Sequence, residues 1–394
     1  MKQKSAAIAV SAIDYSTRQA DPARSGLCMG HLSLSRDFSV IQSATMSVTA
    51  TMQSNDTVWP VVGHGWAVAL LQRAVPSPRH AYLITGPRHV GKTTLAQAFA
   101  QTLLCAQGGV APCGSCRACR LMTAGAHPDF RLVQPVDKEG EVDRARGLIR
   151  VEHANELVRA VAMRPMEGRY KIFLIQDVHA ANDSFANKIL KTLEEPSDHV
   201  ILLLTADDRV NVLPTIVSRC QVLPLRPLDL ATVRGALTST WQLEPARADL
   251  LARLSTGRLG WAVQEADDAQ FLSTRTTNLE RLHELTRSDR IDRLAFAEEL
   301  AARRTHTALF ELLELWTSWW RDVMLVQSGC ADACTNVDYL DAVQAHARRF
   351  PRTEVRAYLA LLQQIDGYLH HTVNPRLALD VLLLRLPHER RRAA

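Results

Sequence analysis

The sequence predicts an α/β phosphate-loop fold followed by an all-helical C-terminal region, and three observations carry that expectation. Residues 86–93 fit the phosphate-binding pattern G-x-x-x-x-G-K-[ST], and four cysteines follow directly on the helix that this loop opens. Continuous apolar runs alternate with amphipathic stretches up to Leu228, after which only helical spacing remains.

Residues 1–57 are rich in Ser, Thr, Ala and Gln and lack a sustained period. Such a segment buries too little apolar area to offset its ordering entropy, so it is expected to be disordered. Composition changes sharply at Trp59-Pro60, and Met46 and Met52 lie just before it, so translation is expected to begin at one of them, with 1–57 a disordered or mis-annotated extension. Lys2 and Lys4 ahead of Ala6-Ala7-Ile8-Ala9-Val10 imitate a signal peptide, but the run is short and Ala-rich. A phosphate loop needs ATP or GTP, and the cysteines need to be reduced, so the expected location is cytoplasmic. No apolar stretch reaches the roughly 18 residues that a membrane helix needs.

The loop reads Gly86-Pro87-Arg88-His89-Val90-Gly91-Lys92-Thr93. It is preceded by a buried strand, Ala81–Thr85, and followed by a helix from Thr94 to Ala100. Glycines let backbone N–H groups approach phosphate oxygens, the helix N-terminus adds a favourable dipole, Lys92 neutralises the outer phosphates and Thr93 can ligate Mg²⁺. Cys105, Cys113, Cys116 and Cys119 are spaced C-x7-C-x2-C-x2-C in a Gly-rich stretch with little core of its own. Four thiolates satisfy tetrahedral Zn²⁺ with no open position, so the spacing favours a structural zinc module over free thiols or a redox pair. Cys330 and Cys334 have no second pair nearby and are read as buried thiols.

Further strands are expected at 171–176 and 200–205, separated by helices at 151–162 and 182–195. Their unbroken apolar runs suit a parallel sheet covered on both faces. Residues 229–265 read as short helices forming a lid-like unit, and 275–386 as four or five longer helices. Leu309, Leu312, Leu313, Trp316, Trp319, Trp320 and Met324 repeat at helical spacing and are read as a packed bundle face rather than a nucleic-acid stacking surface. The chain has 394 residues and 47 % hydrophobic content, enough for two or three cores. A net charge of +5 permits contact with nucleic acid without arguing for it, and Arg390-Arg391-Arg392 reads as a solvated tail.

Several stretches together resemble bacterial DNA polymerase III clamp-loader subunits of the AAA+ class, most closely the delta-prime branch, over about 58–265. They are Val62-Gly63-His64, His80-Ala81-Tyr82-Leu83, the phosphate loop, the four cysteines, Ile149-Arg150 and Glu167 to Lys171, with Asn187 to Pro196 and Pro214 to Cys220. The resemblance implies an AAA+ domain at 58–227 with a four-cysteine zinc module at 105–119, a helical lid at 228–272, a helical collar at 273–386 and a basic tail at 387–394. It implies nucleotide contacts from Gly86 to Thr94, ATP with Mg²⁺ as the ligand, and Asp177 at the second strand's end. It also implies Thr205 as a phosphate sensor, and Arg219 of the Ser-Arg-Cys segment as a finger reaching a neighbouring subunit's ATP. Implied partners are gamma/tau and delta subunits, a sliding clamp and primed DNA met mostly through phosphates.

Two departures qualify that picture. Where an active member carries adjacent Asp and Glu, this chain has Gln176-Asp177, so either register loses one catalytic group. Where a Gly-x-x-Arg turn supplies a sensing arginine, it has Gly257-Arg258-Leu259-Gly260, and Arg258 is read as a surface side chain facing elsewhere. The expectation is a stator-like subunit that hydrolyses ATP poorly or not at all; the rival is a gamma/tau-type motor.

Overall fold

The computed structural model describes residues 59–144, 147–303, 306–369 and 374–389. The expectations for 1–57 and for the arginine tail from 390 onward lie outside the described residues.

Helix α1 (Gly65–Ala74) leads into strand β1 (Ala81–Thr85), the phosphate loop and helix α2 (Lys92–Leu104). Next come α3 (Arg117–Thr123), β2 (Phe130–Val133), α4 (Val151–Val161), β3 (Lys171–Ile175), α5 (Asp183–Glu194) and β4 (Val200–Ala206). A short helix α6 (Pro214–Val217) and β5 (Gln221–Pro224) complete the α/β part. The five strands are all parallel, in the order β2-β3-β4-β1-β5.

Burial on both faces explains the apolar runs. Along β4, Ile201 and Leu203 join a core with Leu71, Leu95 and Phe99, whereas Leu202 and Leu204 join one with Phe185 and Ile189 on the other face. Because β1 lies between β4 and β5, the strand order reverses beside it, which opens a crevice at the strands' carboxyl ends. The phosphate loop, Gln176-Asp177 and Thr205 to Asp207 all leave the sheet at that edge.

The next three helices are α7 (Leu230–Ser239), α8 (Pro245–Leu254) and α9 (Leu259–Asp267). Asp229 caps α7 by accepting from Thr232 N–H, and Glu244 caps α8 by accepting from Arg247 N–H. They share a small core of Val233, Leu237, Ala248, Leu251 and Ala262. Gly257 turns between α8 and α9 at φ 85°, and a Cβ there would come within 2.3 Å of Leu228 O, so only glycine fits.

Six helices follow among the described residues, rather than four or five: α10 (Phe271–Arg287), α11 (Arg290–Arg303), α12 (His306–Gln327), α13 (Leu340–Arg349), α14 (Arg352–Leu369) and α15 (Pro375–Leu384). Leu309, Leu312, Leu313, Trp316, Trp319 and Trp320 are buried together in their core, with Met324 packed against it. The tryptophans are thus enclosed rather than presented for stacking. Cys334 is buried as expected, but Cys330 is exposed, because it lies in the turn after α12 where its thiol reaches only Ser328 O. The start of the expected basic tail is docked: Glu389 pairs with Arg287 and Arg349. Among the described residues, no helix is long and apolar enough to cross a membrane.

Candidate nucleotide site and metal centre

The phosphate loop leaves β1 at Gly86, whose N–H donates to Ala206 O and Asp207 O at 3.2 Å, tying the loop to the end of β4. His89 adopts φ 61° and Gly91 φ 106°, and a Cβ built on Gly91 meets nothing within 4 Å. From below, His64 Nε2 donates to Val90 O at 3.0 Å, which accounts for the histidine ahead of α1. Arg88, His89 and Thr94 are exposed, Gly86, Pro87, Gly91 and Thr93 half-buried, and Val90 buried.

Lys92 is only 4 % exposed, and its ammonium donates to Gly86 O, Pro87 O and Asp207 Oδ1, the last at 3.0 Å. Burial lowers its pKa, opposed by Asp207. The Asp207 carboxyl is held below the ordinary range although burial opposes this, because Lys92, His179 and Arg88 surround it. Although His89 presents an exposed surface, desolvation by the dense protein around it, reinforced by the charges of Arg144, Arg258, Arg88 and Lys92, pushes it down to about 4.

The structure resolves the register of Gln176-Asp177. Gln134 Nε2 donates to Gln176 Oε1 at 2.8 Å, and Gln176 Nε2 donates to Thr93 Oγ1 at 2.9 Å. A neutral amide therefore stands against the hydroxyl that would ligate Mg²⁺, where a carboxylate would be needed. Mg²⁺ does not fit this arrangement. Asp177 sits at φ 51° and is fully buried, with Oδ2 accepting from Arg144 Nε at 2.8 Å. Turned into the interior, it is not placed to polarise an attacking water. Thr205 is fully buried as well, and its hydroxyl accepts the Asp177 N–H at 3.0 Å.

The turn that lacks a sensing arginine is equally specific. Gly260 N–H donates to His89 O at 2.9 Å, and a Cβ at Gly260 would lie 2.9 Å from that oxygen. The first turn of α9 thus touches the phosphate loop through its backbone, at the place where a side chain would have stood. Arg258 faces elsewhere, but it is not a solvated surface residue. It pairs with Glu314 of α12 at 2.6 Å and is 17 % exposed.

Arg219 follows α6 on the surface at 35 % exposure; it pairs with Glu194 at 2.8 Å and donates to Thr215 O at 3.0 Å. Sequence reasoning missed Asp207, Gln134 and Arg144. Asp207 follows Thr205 by two residues, a spacing that could have flagged it. Nothing local marks the other two.

The four cysteines converge. One ligand atom from each lies within 4.8 Å of the others, with Cys113 Sγ and Cys119 Sγ 3.9 Å apart. Backbone N–H groups of Cys113, Cys116 and Cys119 donate at 3.4 Å to the sulfurs of Cys105, Cys113 and Cys116 respectively. Such donors stabilise thiolates, and those of Cys116 and Ser115 lower Cys113 to about 6, whereas burial raises Cys105 and Cys119 in the absence of a cation. The set fits a tetrahedral ion, whose contribution would be to the fold. Around it, Trp59 Nε1 donates to Val110 O, and Arg117 pairs with Glu167 at 3.0 Å, tying the module to the segments ahead of α1 and β3.

Two family models match this chain: one described as DNA polymerase III, delta subunit, over 67–229, and one as its C-terminal part over 269–388. The chain is 28 % identical to the Bacillus subtilis DNA polymerase III subunit delta′, over 80 % of this chain and 94 % of that one. It is 41 % identical to the Pseudomonas aeruginosa subunit delta′ over 37 % of this chain and 43 % of that one. To the Mycobacterium tuberculosis subunit gamma/tau it is 30 % identical, over 83 % of this chain and 60 % of that longer one. A solved Thermotoga maritima protein described as gamma subunit-related aligns with TM-score 0.46 and 15 % identity, over 82 % of this chain and all of that one. With both delta models matched in order along the α/β part and the C-terminal helices, the chain belongs to the DNA polymerase III clamp-loader family, on its delta and delta-prime side.

Proposed function

We propose that the chain is a stator-like delta-prime subunit of a cytoplasmic clamp loader. In this reading it hydrolyses ATP poorly or not at all, holds gamma/tau and delta subunits in a ring, and donates Arg219 to a neighbour's ATP. The observation that carries it is the Gln176 amide bonded to the Thr93 hydroxyl at 2.9 Å, which sets a neutral group where a carboxylate would face the metal that Thr93 ligates. The roles run along the chain as an AAA+ part at 58–227, a lid at 228–272 and a collar at 273–386.

Arg219 suits action in trans because it is surface-borne and its partners are a surface glutamate and a carbonyl, both exchangeable for a phosphoryl group. The four thiolates would hold Zn²⁺. The sliding clamp and primed DNA would be met by the assembly, with phosphate-directed, sequence-independent contacts.

The gamma/tau relatives favour a second reading, a self-sufficient motor. Steady-state ATP hydrolysis separates the two. A stator is silent alone, and Arg219→Ala lowers the rate of its mixture with motor subunits. Turnover by the chain alone would establish the motor and overturn the Gln176 argument.

A further inference from the structure

The nucleotide site is built for phosphate charge but not for a divalent cation. Asp177, His179 and Asp207 bring one ligand atom each within 4.8 Å of one another, a set that could hold an ion. Yet Lys92 lies 3.0 Å and Arg88 3.6 Å from Asp207, and Arg144 lies 2.8 Å from Asp177. Three fixed cations thus face two carboxylates before any metal arrives. The other metal position, at Thr93, is closed by the Gln134–Gln176–Thr93 chain of neutral hydrogen bonds.

Arg144 comes from the segment between β2 and α4, and its placement is specific. Its backbone carbonyl accepts from Arg88 at 2.6 Å while its side chain holds Asp177, so it spans from the loop's crown to the end of β3. Its charge is felt on the loop itself: burial and then Arg144 head the causes that lower His89, and Arg144 adds to the burial that lowers Lys92. A guanidinium offers phosphate a planar set of donors in a weakly hydrated cation.

We propose that the phosphate loop takes a nucleoside di- or triphosphate without a divalent cation, its charge being met by Lys92, Arg88 and Arg144 of the same chain. On phosphate binding, Lys92 and Arg88 exchange Asp207 for phosphate oxygens. Metal-free binding serves a stator, since it provides affinity without the ion that phosphoryl transfer needs. The inference deepens the stator reading and rests on it for that purpose only.

The test is binding of a fluorescent ATP or ADP analogue to the full chain, in excess Mg²⁺ and in excess EDTA. The expected affinities agree within about twofold, and Arg144→Ala weakens both by about tenfold. Arg144→Ala orphans buried Asp177 and so risks the fold; Arg144→Ala with Asp177→Asn removes both charges and is expected to show the same loss. Gln176→Asp should make Mg²⁺ strengthen binding. A wild-type affinity that rises about tenfold or more with Mg²⁺, or no saturable binding in either buffer, overturns the proposal. So does a folded double variant that binds as well as wild type. Ring assembly with motor subunits, read in the same samples, reports separately on the stator reading.

Discussion

Lowering the pH should destabilise the C-terminal helices through a single buried imidazole. His346 is 4 % exposed and lies nearly parallel to Trp320, with ring centroids 5.7 Å apart. Its Nδ1 accepts from Trp319 Nε1 at 3.1 Å, and because an indole only donates, that nitrogen must be unprotonated. Burial, followed by the charges of His283, Arg287 and Arg349, pushes its pKa down to about 3. The unfolded value is about 6.5, so the unfolded chain binds the proton first; the stability is fully present above about 6.5 and is lost as pH falls toward 3. By pH 5 this linkage removes about 2 kcal/mol. The assay is urea unfolding at pH 7 and pH 5, followed by tryptophan fluorescence, comparing wild type with His346→Gln, which keeps an acceptor but does not titrate. Wild type should lose about 2 kcal/mol more than the variant between the two pH values. Equal losses would show that His346 is not the titrating group.

Other perturbations address other parts. Cys116→Ser should abolish metal binding and lower the melting temperature, because one thiolate ligand is lost while a serine hydroxyl can still cap α3; unchanged metal content and melting would remove the module's structural role. Gly260→Ala puts a Cβ 2.9 Å from His89 O, so α9 must lift from the phosphate loop, at a cost of about 1–3 kcal/mol. Differential scanning calorimetry would read that loss, and hydrogen exchange at the 86–91 amides should rise with it.

Much of the α/β part was legible because its central strands are buried on both faces. Ala81–Thr85, Lys171–Ile175 and Val200–Ala206 are buried throughout, and that burial demands the unbroken apolar runs that mark them in the sequence. Phe130–Val133 and Gln221–Pro224 stand at the sheet's edges, partly exposed, and their four-residue runs carry Arg131 and Gln221, so no period announces them. The candidate site divides in the same way. The phosphate loop and cysteine spacing are local patterns, and local patterns can be read. The partners that decide what the site does come from distant segments: Gln134 with Gln176, Arg144 with Asp177 and Asp207 with Lys92. Those pairings follow from strand order, which brings the ends of β1, β2, β3 and β4 to one edge, and from the segment after β2 that carries Arg144 back to it. Likewise the glycine at 260 reads as a lost arginine in sequence, whereas in the fold it is the contact between α9 and the loop.

The unequal fate of the loop and the catalytic pair has a physical reason. Lys92 is a buried cation with three protein acceptors, and removing it would leave two carbonyls unpaired and take from the half-buried Asp207 carboxylate its nearest counter-charge, which destabilises the fold. The loop's residues therefore hold the fold whether or not a phosphate is ever cleaved. At position 176 the constraint is different, because a neutral amide is satisfied on both sides by Gln134 and Thr93, and no buried polar atom is orphaned by it. Folding stability thus opposes change in the loop and tolerates an amide in place of the carboxylate. A complete phosphate-loop motif in such a chain is evidence of a phosphate-shaped fold, while the capacity to hydrolyse must be judged at 176 and 177.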